Sequence, residues 1–153
     1  MARLIPENPT FTTGSEREVW ERLRDSLGEG DVLFANVRLT DEDKDHEIDL
    51  IVLMPEFGIV VLEIKGGSVW WDGGWRIQRK GREVEIHPVD QARDGKFALR
   101  DYVERDPRWG SRTRVAWGHG VVTPYSVFGP DFEIPGLPRW ALHDKGDQVH
   151  LLG

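Results

Sequence analysis

Two apolar runs of the chain, EIDLIVLM and GIVVLEIKGG, lie only a few residues apart, and each of them carries charged side chains. Asp49 interrupts the first run, and Glu63 and Lys65 interrupt the second. Runs of this length and composition predict two neighbouring β-strands that are covered on both faces of a sheet. A carboxylate taken out of water is unfavourable unless it is paired, hydrogen-bonded or bound to a metal, so these strands predict a site as well as a core.

The short segment between the two runs decides whether their charges meet. Side chains alternate along a strand, so Glu63 and Lys65 share one face of the second strand. If the strands form a hairpin with an odd loop, such as residues 55–57, Asp49 lies opposite Glu63 and points the same way, whereas an even loop separates them. Two carboxylates at about 5 Å repel by about 3 kcal/mol at an effective dielectric near 20, and a divalent cation, Mg²⁺ best of all, turns that repulsion into attraction.

Composition limits the classes of protein to which the chain belongs. Its 153 residues, 39% hydrophobic and 31% charged, predict one globular domain with its own core. No apolar stretch approaches the roughly 20 residues that cross a membrane, and no signal-like segment starts the chain, so we expect a cytoplasmic protein without a membrane partner. The net charge of -7 opposes nonspecific attraction to nucleic acid, so a nucleic-acid role requires a local basic patch, a metal or a neighbouring domain.

The pattern of apolar, proline and glycine residues predicts an order of elements. Residues 1–14 form an N-terminal arm, and a capping box of Ser15 and Glu18 starts a helix. The polar segment 40–47 is a solvated loop between strands. The remaining elements are strands 32–39, 47–54 and 58–65, a hairpin of 68–71 and 75–79, a strand at 83–86, a helix over 89–104 and a strand over 114–123.

This order predicts an α/β (α+β) domain with a central mixed β-sheet and flanking helices. Residues 15–124 make its core. Residues 125–153 form a C-terminal extension of the same domain, with short strands at 140–143 and 148–152. The chain ends without a helix cap or a polar tail, so we expect it to come from a longer multidomain protein.

Each predicted helix carries a polar side chain on its apolar stripe. Glu16 falls in the middle of the first stripe, among Val19, Trp20, Leu23 and Leu27, whereas Glu18 falls on the opposite side. Gln91 falls on the second stripe, with Gly95, Ala98, Leu99 and Tyr102. Each has a structural alternative, because Glu16 also suits a helix N-terminus electrostatically and Gln91 also suits a backbone hydrogen bond at a helix start.

Four strings of the sequence, taken in order, carry a family resemblance: SEREVWERLRD, EIDLIVLMPEFGIVVLEIKGG, HPVDQA and WGHGVVTP. Together they resemble the nuclease-related domain, a branch of the PD-(D/E)xK nuclease superfamily that is often fused to helicase or kinase-like domains. The resemblance covers about residues 15–124 and implies a restriction-endonuclease-like core. The E-x-K motif alone is weak, but its order with the upstream I-D, the helix glutamate and the downstream P-x-x-Q is much more specific.

The resemblance also implies a role for each residue that matches the motif. It makes Asp49 and Glu63 metal-binding acids and Glu16 a contributor to the metal through a water molecule. Lys65 orients or polarises the attacking water, and Gln91 is a residue of the site wall. The superfamily's proline before the first acid is Ile48 here, which removes no ligand.

The implied activity is hydrolysis of DNA phosphodiester bonds with Mg²⁺, which Mn²⁺ is able to replace. The implied setting is DNA repair or processing alongside a fused or partner helicase. Phosphodiester hydrolysis needs an in-line water, neutralisation of charge on the phosphoryl oxygens and help for the leaving group, which one or two magnesium ions held by carboxylates supply.

Nucleic-acid contacts are predicted for four residues: Lys65, Arg93, Lys96 and Trp71. The cations Arg93 and Lys96 belong to a basic helix face with Arg100 and Arg105, and Lys80 and Arg82 are near in sequence. Such charges also occur on ordinary solvated faces. Tryptophans 70, 71 and 75 are able to stack on bases of single-stranded DNA, worth about 1–3 kcal/mol per base, or simply to cover a sheet edge.

Three alternatives stay open at this stage. Glu63 and Lys65 could be a buried pair that only satisfies other charges. The domain could keep the fold and bind DNA with little or no catalysis. The acidic balance and the tryptophan-rich hairpin also suit a protein-interaction module that regulates an attached enzyme.

Overall fold

The structure is a computed structural model that describes residues 1–41, 44–109 and 115–146. Its two helices are α1 (Gly14–Ser26) and α2 (Pro88–Glu104). Short 3₁₀ turns lie at Pro107–Trp109 and Arg139–Ala141. The strands are β1 (Arg3–Ile5), β2 (Val32–Thr40), β3 (Asp45–Met54), β4 (Gly58–Ile64), β5 (Val69–Trp71), β6 (Trp75–Arg79), β7 (Arg82–Ile86), β8 (Trp117–Thr123) and β9 (Leu142–Asp144).

A six-stranded mixed sheet forms the centre, in the order β1-β2-β3-β4-β8-β9. Strands β2, β3 and β4 are antiparallel, whereas β1, β8 and β9 each run parallel to the neighbour that they join. Together with the two flanking helices, this sheet confirms the predicted α/β class and matches a restriction-endonuclease-like core.

Helices cover both faces of the central sheet, as the apolar runs predicted. Helix α1 buries Val19 and Leu23 in one core cluster with Leu50 and Leu62 of the central strands. Helix α2 packs on the opposite face, where Gly95 is so close to Ile48 that a Cβ at position 95 would lie 3.1 Å from the isoleucine side chain. Because both faces are dry, a charged side chain in β3 or β4 stays in water only at the end of its strand.

The hairpin between β3 and β4 has the odd loop on which the site prediction depended. Met54 pairs with Gly58, so residues 55–57 make the loop, and the register continues to the pair of Leu50 and Leu62. One step further along this register, Asp49 faces Glu63. The two acids therefore lie on the same face of adjacent strands.

A second, smaller sheet contains β5, β6 and β7 in antiparallel order. Trp75 and Ile77 of β6 point into a core cluster with Phe128 and Leu137 of the C-terminal segment. Ser126 fixes this arrangement, since its hydroxyl accepts a 2.8 Å hydrogen bond from the Val69 amide. The small sheet is thereby held beside the end of β4, where the charged residues lie.

The structure departs from the sequence predictions at the chain's N-terminal side. The predicted arm contains β1, which adds an edge strand to the central sheet. The predicted Ser15–Glu18 capping box is wrong: Thr13 is the N-cap, and its side chain accepts from the Glu16 amide at 3.3 Å. Glu18 instead accepts a 2.7 Å hydrogen bond from the Tyr125 hydroxyl. A threonine two residues earlier already satisfies the free amide, so the box is unnecessary.

Other boundaries differ by a few residues. The predicted solvated loop 40–47 is shorter, because β3 already begins at Asp45. Strand β8 begins at Trp117, and part of the predicted 114–123 segment, like the predicted strand 148–152, lies outside the described residues. Tyr102, predicted on the inward stripe of α2, is exposed.

A search of the described helices for membrane spans finds no segment with the length and apolar character to cross a bilayer.

Candidate active site

One cavity receives side chains from five elements of the fold. Its volume is about 590 Å³, and its wall combines the first turns of α1 and α2, the facing ends of β3 and β4, and the end of β6. All five residues that the sequence assigned to a catalytic site line this cavity: Glu16, Asp49, Glu63, Lys65 and Gln91. Residues separated by up to 75 positions in sequence thus share one water-accessible space.

The two strand acids form the centre of the cavity. Glu63 is only 6% exposed, and Asp49 is partly buried beside it. The two carboxyl groups are hydrogen-bonded to each other, which requires a proton between them. Asp49 also accepts a 2.8 Å hydrogen bond from the Ile64 amide, which holds its carboxylate against β4. Asp49 therefore has a fixed position, and Glu63 is the partner that carries the proton.

Burial controls the protonation of this pair. Removal from water, followed by the charge of Asp49, raises the pKa of Glu63 to about 8. Burial also raises the pKa of Asp49, although the Ile64 amide works in the opposite direction. Near neutral pH the metal-free pair therefore holds one proton, which a cation bound between the carboxylates would replace.

Lys65 supplies a positive charge next to the acids. Its ammonium lies 3.4 Å from a carboxylate oxygen of Glu63, and its side chain is only 12% exposed. The Lys65 amide donates to the Val122 carbonyl at 2.9 Å, so backbone bonding to β8 continues one residue past the end of β4. The lysine is thus held in place by both its backbone and its side chain.

Helix α1 brings a third carboxylate to the cavity. Glu16 lies in its first turn, and burial together with the charge of Asp49 raises the pKa of Glu16. The helix is able to approach this closely because residue 66 is glycine: a Cβ there would collide with the side chain of Ser15. Gly66 follows Lys65 directly, so this contact joins the start of α1 to the end of β4.

Gln91 lies at the edge of the cavity rather than at its centre. It is exposed in the first turn of α2, where its amide donates to the His87 carbonyl at 3.0 Å. Its side chain is therefore able to meet a ligand that enters from solvent. Its position agrees with the site-wall role that the sequence suggested.

The lining residues that were not assigned to the site from the sequence include the polar side chains of Glu47, Gln78, Arg79 and Tyr125. Tyr125 lies beyond the strand that ends the predicted core, and its hydroxyl is held by Glu18. Gln78 and Arg79 end β6 in the small sheet. The alternation of apolar and polar residues in β6 predicted a strand. No sequence signal placed that strand beside the acids.

The other predicted nucleic-acid contacts lie elsewhere. Trp71 and Arg93 line a separate cavity of about 280 Å³, where Trp71 packs edge-on against Trp75. Arg93 is ion-paired with Asp90 at 3.1 Å. Lys96 is partly buried, with its ammonium 4.9 Å from the ring centre of Phe97. The structure therefore brings Lys65 to the acids but not Trp71, Arg93 or Lys96.

The donor set of the site fits a hard divalent cation. In the described parts of the chain, no group of three or more His, Cys, Asp or Glu side chains is arranged to hold a metal. Mg²⁺ requires less, because it is usually bound through one or two carboxylates while waters and substrate phosphates complete its shell. Asp49 and Glu63 provide that number of carboxylates, and their shared proton marks the position where a positive charge is favourable.

A comparison with family models finds a match over most of the chain. The model described as the nuclease-related domain matches residues 13–128, which is well over half of the chain and includes every wall residue of the cavity. Neither a curated protein nor a solved structure matches the chain.

Proposed function

Because the chain belongs to the nuclease-related domain family, of the PD-(D/E)xK nuclease superfamily, we propose that it hydrolyses DNA phosphodiester bonds with Mg²⁺ as cofactor. The observation that carries this proposal is the convergence of Asp49, Glu63 and Lys65 in one open cavity, with the lysine ammonium 3.4 Å from the Glu63 carboxylate. A purely structural ion pair of Glu63 and Lys65 leaves the second acid, Asp49, without a reason to face them.

Asp49 and Glu63 are the residues that would hold the cation, which Mn²⁺ is able to replace. When bound, such an ion polarises the phosphoryl oxygens and lowers the energy of the charge that develops during hydrolysis. Glu16, with its raised pKa, adds a third carboxyl group on the α1 side of the cavity and suits a hydrogen bond to a water molecule there. The backbone bond from Ile64 keeps Asp49 in position as Glu63 gains or loses its proton.

Lys65 would orient the attacking water. Its ammonium is fixed 3.4 Å from Glu63 and has no acceptor lone pair while it is protonated, so it donates hydrogen bonds and does not abstract a proton. Its charge also lies where the negative charge of the reacting phosphate increases, which favours the transition state over the ground state. Gln91, at the edge, would hydrogen-bond the phosphate or sugar of the entering strand.

The family resemblance extends this proposal to a biological setting. We place the domain in DNA repair or processing, next to a fused or associated helicase. The net charge of -7 supports a need for such a partner, because the whole chain repels DNA at long range.

Calorimetric titration of Mg²⁺ and Mn²⁺ is the decisive experiment, followed by cleavage assays on linear, circular and single-stranded DNA. We expect wild type to bind metal and to cleave, and Asp49→Asn and Glu63→Gln to weaken both by about 100-fold or more. Lys65→Met should bind metal yet lose cleavage. Asp131→Asn and Glu56→Gln, which change exposed acids outside the cavity in the same way, are the matched controls.

Two results would contradict the proposal in different ways. If metal binding does not depend on Asp49 and Glu63, the site assignment fails. If wild type binds DNA without metal and cleaves no substrate with either ion, the domain is a binding module that regulates an attached enzyme.

A further inference from the structure

The turn between β6 and β7 concentrates positive charge at the edge of the cavity. Its four residues, Arg79, Lys80, Gly81 and Arg82, contain three cations and no acid. Arg79 pairs directly with Arg82 across the hairpin, so the two guanidinium groups start from opposite positions on the same face. We name this four-residue segment the hairpin tip.

The hairpin tip is locally unfavourable in two ways. Like charges directly opposite each other in an antiparallel pair are destabilising, by about 0.2–1 kcal/mol. Lys80 has φ +49° and Gly81 has φ +77°, the two positive angles of a tight two-residue turn, in which asparagine or glycine is preferred to lysine at the first position. The three charges therefore do not stabilise the turn in which they lie.

No described acid compensates these charges. Among the described residues, none forms an ion pair with Arg79, Lys80 or Arg82, and the neighbouring Glu83 is directed to Arg76, at 3.7 Å. The cations of α2 differ, since Arg100 and Arg105 each bind an acid one helical turn away, at 3.0 Å and 2.9 Å. Three of the four cations of the basic helix face, Arg93, Arg100 and Arg105, are therefore ion-paired to acids of the same helix, whereas the hairpin tip has no such partner among the described residues and is able to attract an anion.

The hairpin tip reaches the cavity of the carboxylates through Arg79, the one of its four residues that lines the wall. Side chains alternate along β6, so Arg79 follows the buried Trp75 and Ile77 on one face, and that face continues into the wall of the acid cavity. Arg79 and Lys65 are the two cations of this wall, and Lys65 is already engaged by Glu63. Arg79 is thus the wall cation that remains available to a ligand.

We propose that the hairpin tip grips the phosphate backbone of the nucleic-acid strand whose scissile phosphate lies at Asp49 and Glu63. The position of the scissile phosphate rests on the proposed function, but the charge of the hairpin tip does not. Phosphate contacts of this kind set the register of the strand and carry no base specificity. They also explain how a chain with net charge -7 engages DNA: attraction is local, at one tight turn next to the site.

The test compares two triple variants with the same change in net charge. The tip variant is Arg79→Gln, Lys80→Asn, Arg82→Gln, in which asparagine suits the positive φ of position 80. The control is Arg100→Gln, Arg105→Gln, Arg108→Gln, whose cations are ion-paired to described acids. Affinity for a fluorescent oligonucleotide is measured by anisotropy without divalent metal, over a range of salt concentrations, and Mg²⁺ binding is measured by calorimetry.

We expect the tip variant to bind more weakly for every base sequence and to lower the slope of log affinity against log salt by about 2–3, because each lost phosphate contact removes somewhat less than one unit. The control should keep the wild-type slope. Mg²⁺ binding by the tip variant should equal that of wild type, since Asp49 and Glu63 are unchanged.

An unchanged slope in the tip variant, or an equal loss in the control, would overturn the inference. Absence of oligonucleotide binding by wild type would overturn it too. If the tip variant loses DNA affinity while wild type proves unable to cleave, the inference stands and the proposed hydrolysis fails, so the two failures are distinguishable.

Discussion

Two acids are buried among the residues that the structure describes, Asp144 and Glu63. Asp144, at the end of β9, is 2% exposed and has a full set of donors: the amides of Phe128 and Gly146, at 2.8 Å and 2.9 Å, and the Arg139 guanidinium, at 3.2 Å. Glu63 is nearly as buried, yet its neighbours are another acid and one lysine at 3.4 Å.

The difference shows that burial alone does not identify a functional acid. Asp144 fastens the C-terminal segment to β9, because its carboxylate is satisfied by fixed donors. Glu63 has a carboxyl group that its surroundings leave partly unsatisfied, so it keeps a proton that a ligand can replace. The hydrogen-bond donors around a buried acid therefore distinguish a structural acid such as Asp144 from a functional one such as Glu63. Three predictions test this distinction.

The largest effect should come from Asp144. Asp144→Ala leaves the buried Phe128 amide and the Gly146 amide without an acceptor and removes an ion-pair partner of Arg139, which should lower the free energy of unfolding by about 3–5 kcal/mol. Urea denaturation measures the change, and Asp131→Ala, an exposed acid in the same segment, is the control, with an expected change within about 0.5 kcal/mol. A loss below about 1 kcal/mol would remove the distinction from Glu63.

The second effect concerns metal affinity at Glu63. Because its pKa is raised to about 8 in the metal-free protein, the cation has to displace a proton at lower pH. Affinity for Mg²⁺ should therefore rise by about tenfold per pH unit between about pH 6 and 8, then level off. Calorimetry in two buffers of different ionisation enthalpy should show about one proton released per ion at pH 7, and a flat profile would contradict the shared proton.

The smallest effect concerns stability without metal. The unfolded state has a Glu63 pKa near the ordinary 4.5 and the folded state one near 8, so between these values the folded state binds more protons. The free energy of unfolding should therefore fall as pH rises through this window, by at most about 1.4 kcal/mol per pH unit.

Glu63→Gln should reduce that fall, leaving the part that Asp49 and Glu16 contribute through their own raised pKa values, and at pH 8 it should leave the protein as stable as wild type or more stable by about 1 kcal/mol. Chemical denaturation at several pH values gives both profiles. If the variant is markedly less stable than wild type at pH 8, the role of Glu63 is structural, like that of Asp144.

The sequence predicted the strands of the site well because their signal is local. The apolar runs around Asp49 and Glu63 are continuous, and the loop between them is short, so one parity argument decided whether the acids face each other. The predicted helix 89–104 and the hairpin of β5 and β6 were confirmed for the same reason. Hydrophobic period and turn residues are encoded within a few positions.

Features that depend on distant contacts were not predictable in this way. Strand β1 is three residues long, and it is a strand only because it pairs with β2. Arg79 reaches the cavity because the small sheet packs on residues near 126–137, which no local pattern reveals. Asp144 occurs in a short polar stretch, and the amides that donate to it belong to residues before and after it in the sequence, Phe128 and Gly146.

Gly66 has a consequence for how such sequences are interpreted. A larger residue at this position would push the start of α1, and Glu16 with it, away from the cavity while every acid and the lysine remained in the sequence. Two chains with the same acids and the same lysine could then differ in whether Glu16 reaches the cavity. A survey of this family that considers only the acids and the lysine would treat the two chains alike. A survey that also considers the residue after the lysine would distinguish them.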